Sequence, residues 1–142
     1  MSGLFVLAWI GAQQVAFEAT SVEAVVDIPL VVPVPLAASH VVGLASIRSQ
    51  VITVIDCSAA TGGPFASPTG RAVLTGIDGH RYAMRVDRVD DVVAGSVSAD
   101  AGVPLGPLWG DIATGVIEVG DSFAIVVDPA KLVAVVPAAI AA

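Results

Sequence analysis

The sequence predicts an all-β protein built from two similar small barrels. Three observations support this fold class. Valine and isoleucine dominate short apolar runs that are separated by Gly, Pro, Asp and Ser, a pattern typical of strands and turns. The same order of runs occurs twice along the chain. The sequence contains no long helical pattern, and many short strands favour barrels, which also remove exposed sheet edges.

Strand-like runs that flank short polar turns predict β-hairpins in both halves of the chain. Asp-Gly is the strongest of these signals, because a two-residue type I′ turn needs positive φ at both central residues. The turns are predicted at Gly11-Ala12, Ile47–Ser49, Asp78-Gly79 and Gly120-Asp121.

An internal repeat relates the two halves. Gly43–Asp56 aligns with Gly115–Asp128, with Gly and Asp at the same separation, and Gly11–Val26 aligns with Gly79–Val93 with one gap. Thr61–Gly70 is rich in Gly, Pro, Ser and Thr and is predicted to be a loop. The repeat therefore predicts two β subdomains of about five short strands each.

Two short helices are predicted where the repeated segments end. Asp56 is placed at the N-cap of "DCSAATG", and Asp128 at the N-cap of "DPAKLV", where Pro129 occupies the first helical position. Mirrored carboxylates would also suit an aspartic-protease-like dyad, but the Asp-Thr-Gly or Asp-Ser-Gly turn of such enzymes is absent. Capping explains both residues, so Asp56 and Asp128 are predicted to be structural caps.

Charge and composition exclude several classes of function. The net charge of −7 argues against nucleic-acid binding, which needs clustered Lys and Arg. The single cysteine, Cys57, excludes an intrachain disulfide and a cysteine-based zinc site, and is predicted to be a core residue. His40 and His80 have no second ligand at suitable spacing. We therefore predict no catalytic residue, no metal and no cofactor.

The high apolar content, 56% of residues, raises the question of a membrane segment. Ile28–Ile47 is long enough to span a bilayer, but Pro29, Pro33 and Pro35 would break a lipid-exposed helix. The first uncharged stretch has no basic residues before it, unlike a signal peptide. We expect no direct membrane insertion and a cytoplasmic location.

Arg48 is an unusual cation in a chain with six Lys and Arg residues. It lies in a predicted turn between two apolar runs, whereas the matching turn of the second half carries Gly120 and Asp121. A solvated turn residue is one interpretation. An interface contact is the other, because the planar guanidinium pairs with carboxylates while its stem packs. The acidic segment Asp87–Val93 has the same two interpretations: it is either the solvent-exposed face of an edge strand or a partner contact.

The segment "GLASIRSQVITVIDC" resembles a characteristic stretch of the CheW-like domain family, Gly-Val-x-Asn-Leu-Arg-Gly-x-Ile-x-Pro-Val-Ile-Asp-Leu. The matching residues are Gly43, Arg48, Ile52, Val54, Ile55 and Asp56. Three further segments resemble the family in the same order: "VEAVVDIPLVVPVPLAASHVVG", "HRYAMRVDRVDDVV" and "GVIEVGDSFAIVVDPAKLV". The resemblance covers nearly the whole chain.

The resemblance implies a single domain over residues 1–142, made of two intertwined five-stranded SH3-like barrels with a few short helices. The halves before and after the 61–70 loop would exchange strands. It also implies a non-enzymatic cytoplasmic adaptor of chemosensory arrays at the inner membrane. Such adaptors bridge the cytoplasmic tip of methyl-accepting chemotaxis receptors to the regulatory domain of a CheA-type histidine kinase.

Residue roles follow from the same resemblance. Arg48, with Ser46 and Ile47, is expected to contact partners, and Val22, Glu23 and Ala24 are expected on the strand that lines the receptor-binding groove. The sequence departs from the family where Asn, Gly and Pro are replaced by Ser46, Ser49 and Thr53. Charged lead-in residues are replaced by Ile28, Leu30, Val31 and Val32. These departures affect the choice of partner.

Two alternatives remain open at the level of sequence. A divergent scaffold would bind only one of the two partners. A small β-barrel ligand-binding protein or enzyme would show a pocket with convergent polar groups and a perturbed titratable residue, whereas an adaptor would show shallow apolar grooves.

Overall fold

The computed structural model describes residues 2–35, 40–61, 70–98 and 107–134, and within them the chain is mostly β. Most of the predicted 61–70 loop, with Gly62 after the first helix, lies outside the described residues. The strands are β1 (Ser2–Ile10), β2 (Gln13–Glu18), β3 (Ala24–Ile28), β4 (Val41–Ile47), β5 (Gln50–Asp56), β6 (Gly70–Ile77), β7 (His80–Arg85), β8 (Arg88–Ser96), β9 (Ala113–Val119) and β10 (Ser122–Val127). The helices are α1 (Cys57–Ala60), α2 (Pro107–Ile112) and α3 (Pro129–Val133), with a 3₁₀ turn at Ala19–Ser21.

The described strands form two five-stranded sheets, and each sheet contains one hairpin from the other half of the chain. Sheet A has the order β8-β1-β2-β10-β9, and sheet B has the order β3-β6-β7-β5-β4. The β6–β7 hairpin follows the 62–69 segment in sequence but lies in sheet B, and the β1–β2 hairpin lies in sheet A among the C-terminal strands. This exchange is the intertwining that the fold prediction included. The predicted all-β class with a few short helices is confirmed.

The two sheets have the same plan. In each, an antiparallel hairpin pairs in parallel with a strand from the other half, β5 with β7 and β2 with β10. In each, an isolated bridge ties an edge strand to the extension of the opposite edge strand, Val32 with Leu44 and Ser98 with Val116. The glycine next to each bridge, Gly43 or Gly115, has positive φ and lies against the backbone of the bridging segment. The repeat in the sequence therefore corresponds to two sheets whose strand pairs, bridges and glycines occupy equivalent positions.

All four predicted turns join strand pairs as two-residue loops. Ile10 pairs with Gln13, Ile47 with Gln50, Ile77 with His80, and Val119 with Ser122. Positive φ is needed at both central residues of a type I′ turn and only at the first of a type II′ turn. Arg48-Ser49 and Asp78-Gly79 have the first pattern, and Gly11-Ala12 and Gly120-Asp121 have the second.

The core explains why the two sheets form one body. One cluster of buried apolar side chains draws on both sheets and on helices, with Phe17 from sheet A, Ile55 and Met84 from sheet B, Ile112 from α2 and Leu132 from α3. Two smaller clusters fill sheet B and sheet A separately. Among the residues described, no helix has the length and apolar character needed to cross a membrane.

Candidate functional site

Arg48 lies at the tip of the β4–β5 hairpin. Arg48 and Ser49 have φ of 52° and 64°, which forms the two-residue turn and fixes the backbone that carries the guanidinium. The side chain is exposed, and it makes no ion pair with any residue that the structure describes. The turn therefore presents an available cation at the end of a paired hairpin.

The structure corrects the expectation that Ile47 contributes apolar surface beside Arg48. Ile47 is 6% exposed and packs in the core of sheet B with Ala45 and Ile52. Its burial follows from strand alternation, since Ala45 and Ile47 point inward while Ser46 points outward. Val51, which pairs with Ser46, is 74% exposed and supplies the apolar surface instead.

A row of large apolar side chains continues from this turn across the outer side of sheet B. Leu30 and Val32 are 71% and 61% exposed, and Leu44 is also exposed. Val32 and Leu44 exchange backbone hydrogen bonds of 2.8 and 2.9 Å, which places their side chains on the same face. We name this surface the Arg48 face; it consists of Leu30, Val32, Leu44, Ser46, Arg48 and Val51.

The four residues before β4 that replace charged residues of the family divide between this surface and the interior. Ile28 is 4% exposed, and Val31 packs against the core of sheet B. Leu30 and Val32 lie on the Arg48 face. Two of the four replacements of charged residues thus change the surface, and the other two serve packing.

Of the second group of predicted contact residues, only Ala24 lies in β3, at the opposite edge of sheet B, whereas Val22 and Glu23 precede the strand. Glu23 is exposed and forms an ion pair of 3.2 Å with Arg81 Nε, and Arg81 also donates to Gln50 Oε1. Gly76 leaves room for the Glu23 side chain, because a Cβ there would lie 3.0 Å from Glu23 Oε1. Glu23, Arg81 and Gln50 form a polar link from the start of β3 to the residue that follows the Arg48 turn.

Val22 and Ala24 offer less surface than Glu23. Val22 is half-buried against the core shared by the two sheets, and Ala24 is half-buried against the core of sheet B. Sequence reasoning missed Arg81. A signal was available in its position two residues after the Asp78-Gly79 turn, but the partner Glu23 lies on a strand that is remote in sequence.

Asp56 and Asp128 both accept a helix-capping hydrogen bond. Asp56 Oδ1 accepts from Ser58 N at 3.0 Å, and Asp128 Oδ1 accepts from Ala130 N at 3.0 Å. The two differ in surroundings, because Asp56 is fully buried and Asp128 is half-buried. Asp56 also faces a cation that sequence reasoning missed.

That cation is Arg85, which is 7% exposed. Its Nη1 lies 3.7 Å from Asp56 Oδ1 and 3.6 Å from Asp87 Oδ1. The Asp87 carboxylate accepts a hydrogen bond from the Gly11 backbone, in the β1–β2 turn of sheet A. The cluster of Asp56, Arg85 and Asp87 therefore joins the ends of β5 and β7 to the other sheet.

Two further candidates for chemistry, Cys57 and His40, are held in the interior. Burial raises the pKa of the Cys57 thiol, with a smaller contribution from the Asp56 carboxylate, so the thiol stays protonated. His40 is buried, and its Nε2 lies 3.0 Å from the Val133 carbonyl oxygen. Within the described part of the chain, no group of three or more His, Cys, Asp or Glu residues is arranged to hold a metal ion.

Two five-stranded sheets of the same plan carry these residues, and a comparison with protein families agrees with this fold. The model of the CheW-like domain family matches residues 4–136. The chain belongs to this family. CheW-like proteins are scaffolds and adaptors and are generally non-enzymatic.

A solved structure supports the CheW-like fold. The crystal structure of the scaffolding protein TtCheW from Thermoanaerobacter tengcongensis matches with a TM-score of 0.78 and 20% sequence identity, over 90% of this chain and 90% of that one. A sequence search among curated proteins found no match to this chain.

In this CheW-like domain, the predicted contact residues fall into two sets. Arg48, Ser46 and Glu23 are exposed, and Glu23 is paired with Arg81. Ile47 is buried, and Val22 and Ala24 are half-buried. Leu30 and Val32 are exposed apolar residues that the prediction did not place at the contact surface.

Proposed function

We propose that the protein is a cytoplasmic, non-catalytic adaptor that couples chemoreceptor tips to a CheA-type histidine kinase. The observation that carries the proposal is Arg48, displayed on a paired hairpin beside exposed apolar side chains. Arginine beside apolar surface is a frequent interface hot spot, since its guanidinium forms charge-assisted bonds while its stem packs.

The surface chemistry supports protein partners over a small-molecule substrate. The Arg48 face is apolar with one cation, and shallow apolar surfaces on sheets accept helices or other sheets. The Cys57 thiol, whose pKa burial raises, lies in the core that the two sheets share. Burial there makes it a packing residue instead of a nucleophile.

The test is Arg48→Ala, with binding to a kinase regulatory domain and to a receptor cytoplasmic fragment measured separately. Binding to at least one partner should weaken about thirtyfold or more, which corresponds to about 2 kcal/mol. The thermal midpoint should stay close to wild type, because an exposed arginine contributes little to the fold. Lys131→Ala, which removes an exposed cation from α3, is the matched control and should leave binding unchanged.

Val51→Ser tests the apolar part of the same surface. It should weaken the same interaction without lowering the thermal midpoint, since this side chain is 74% exposed. Wild-type protein that binds only one of the two partners would favour the single-partner scaffold. A lowered midpoint for Arg48→Ala with unchanged binding to both partners would make Arg48 a structural residue and overturn the proposal.

A further inference from the structure

Two equivalent positions of the sheets carry opposite charges. β2 and β7 are both six residues long, both follow a two-residue turn, and both pair in parallel with a strand that leads to a capping aspartate. Their last residues are Glu18 in sheet A and Arg85 in sheet B. Arg85 lies opposite Asp56, and the register of β2 with β10, continued by two residues, places Glu18 opposite Asp128. An aspartate thus faces an arginine in one sheet and a glutamate in the other.

In sheet B the chain itself supplies a guanidinium at this place. Arg85 Nη1 lies 3.7 Å from Asp56 Oδ1 and 3.6 Å from Asp87 Oδ1, so one cation lies between two carboxylates. In sheet A, Asp128 caps its helix with a bond of the same 3.0 Å length as Asp56 does. Neither Asp128 nor Glu18 forms an ion pair with any residue that the structure describes. Sheet A therefore has the two carboxylates without a described counterpart of the Arg85 cation.

A cleft lies beside these two carboxylates, and we name it the Glu18 cleft; its lining includes Glu18, Ser21, Thr114 and Asp128. Its volume is about 180 Å³, several times the roughly 30 Å³ that one water molecule takes. Ser21 Oγ donates to the Glu18 carbonyl oxygen, and Thr114 Oγ1 lies 3.5 Å from the Val126 carbonyl oxygen. Both hydroxyl protons point at carbonyl groups of the chain, which leaves the hydroxyl lone pairs as acceptors. The polar side chains of the Glu18 cleft thus offer acceptors to a ligand.

A second cleft, of about 390 Å³, adjoins the first and shares Glu18 and Thr114 with it. Its lining adds the apolar side chains of Leu4, Phe5 and Val97. Leu4 is 58% exposed, so part of this apolar surface is open to solvent. The Glu18 carboxylate therefore lies between a cleft lined with acceptors and an apolar one. A ligand with a donor-rich cation at one end and an apolar stem would fit both.

We infer that the Glu18 cleft binds a guanidinium group carried on an apolar stem. The planar guanidinium has five N–H donors, which suit two carboxylates and two hydroxyl oxygens better than the three donors of an ammonium group do. The carboxylates of Glu18 and Asp128 would accept charge-assisted hydrogen bonds, the role that Asp56 and Asp87 have toward Arg85 in the form of ion pairs. The net charge of −7 attracts a cation to the molecule.

The experiment is an NMR titration of the isotope-labelled protein with N-butylguanidinium at low ionic strength, where charge interactions are least screened. The backbone amide signals of Ser21 and Thr114 should shift in a saturable way, with a dissociation constant on the order of 1 mM. N-butylammonium, which lacks the planar fork, should bind about threefold more weakly or worse. Neutral N-butylurea should bind at least about tenfold more weakly, because it carries no charge.

A blocked Ala-Arg-Ala peptide, titrated in the same way, identifies where the guanidinium comes from. Tighter binding of the peptide than of N-butylguanidinium assigns the cleft to an arginine of another protein. Weaker binding of the peptide assigns the cleft to a small molecule. Either ranking supports a guanidinium site, because both probes carry the same head group.

Conservative variants separate the two carboxylates from the stability of the fold. Glu18→Gln removes one charge, and Asp128→Asn removes the other while it keeps the helix cap, since asparagine caps as well as aspartate. Each variant should weaken N-butylguanidinium binding about tenfold or more. Glu118→Gln and Asp91→Asn are matched controls that remove a charge at exposed positions outside both clefts, and they should bind as wild type. Thermal melts establish that each variant is folded.

Glu18→Arg gives the decisive readout, because it supplies sheet A with the cation that sheet B has in Arg85. The introduced guanidinium should pair with Asp128 and abolish binding of N-butylguanidinium in a protein that stays folded. Four results would each overturn the inference, whatever the outcome with kinase and receptor. They are the lack of a saturable shift in wild type, equal affinity for N-butylguanidinium and N-butylammonium, controls that lose as much affinity as Glu18→Gln, and Glu18→Arg that binds as wild type.

Discussion

The paired aspartates provide an internal comparison of a helix cap with and without a buried ion pair. Asp56 and Asp128 occupy equivalent positions and make capping bonds of equal length, 3.0 Å. Only Asp56 also neutralises a buried guanidinium, that of Arg85. Replacing each aspartate by alanine removes the same cap, and only in the case of Asp56 does it also take a buried carboxylate away from a buried guanidinium.

The expected magnitudes differ accordingly. Loss of a cap costs about 0.5–2 kcal/mol of unfolding free energy. Removing one partner of a buried ion pair costs about 3–5 kcal/mol, because the other charge stays buried. Asp128→Ala should therefore fall in the first range and Asp56→Ala in the second. Asp87 remains beside Arg85, but its side chain is 36% exposed and compensates only in part.

The assay is equilibrium urea unfolding, with the slope checked to ensure that the unfolding stays two-state. The double variant Asp56→Ala/Arg85→Ala completes a cycle and should show a coupling of about 1–3 kcal/mol. Equal losses for Asp56→Ala and Asp128→Ala, or a coupling near zero, would refute the reasoning. Asp56 would then be a cap alone, and the guanidinium would be stabilised by other groups.

Three further predictions concern the backbone and the buried thiol. Ser49→Gly should raise the unfolding free energy by about 0.5–1 kcal/mol in urea unfolding, since φ of 64° disfavours a side chain; a lowered midpoint would contradict this. Gly43→Ala should cost at least about 2 kcal/mol, because a Cβ there would overlap the Val32 carbonyl, whereas Gly3→Ala, which meets nothing within 4 Å, should cost much less. Equal costs would contradict the close approach. Burial raises the pKa of the Cys57 thiol, so the thiol ionises first in the unfolded state, and the unfolding free energy should fall as pH rises above about 8.5. Cys57→Ala should reduce that fall. Urea unfolding at pH 8 and pH 10 measures the fall, and an equal fall in wild type and variant would contradict the prediction.

Sequence reasoning succeeded where the signal was local. Asp78-Gly79 demands a tight turn, and the Asp-Pro pair at Asp128-Pro129 marks a helix start, so these features were readable within a few residues. The repeat extended this local knowledge, since each feature of one half indicated its counterpart in the other.

The errors and omissions depend on packing between segments remote in sequence. Ile47 was placed at the surface because apolar residues occur on both faces of β4, and alternation alone did not say which face is buried. Arg85 was missed because its partner Asp56 is aligned with it only by the parallel register of β5 and β7. The exposure of Leu30 and Val32 likewise depends on the bridge to β4.

The hairpin exchange between sheets has a consequence for synthesis of the chain. β1 pairs on one side with β2 and on the other with the edge strand β8, in which Ser96 lies opposite Ser2. Sheet A therefore stays incomplete until most of the protein has left the ribosome. At about 5–20 residues per second, the first hairpin waits several seconds for its neighbours. Such long-range pairing slows folding and leaves unpaired edges exposed meanwhile. The nascent N-terminal hairpin is therefore the segment on which a chaperone would act, and truncation before β8 should yield an insoluble product instead of a folded half.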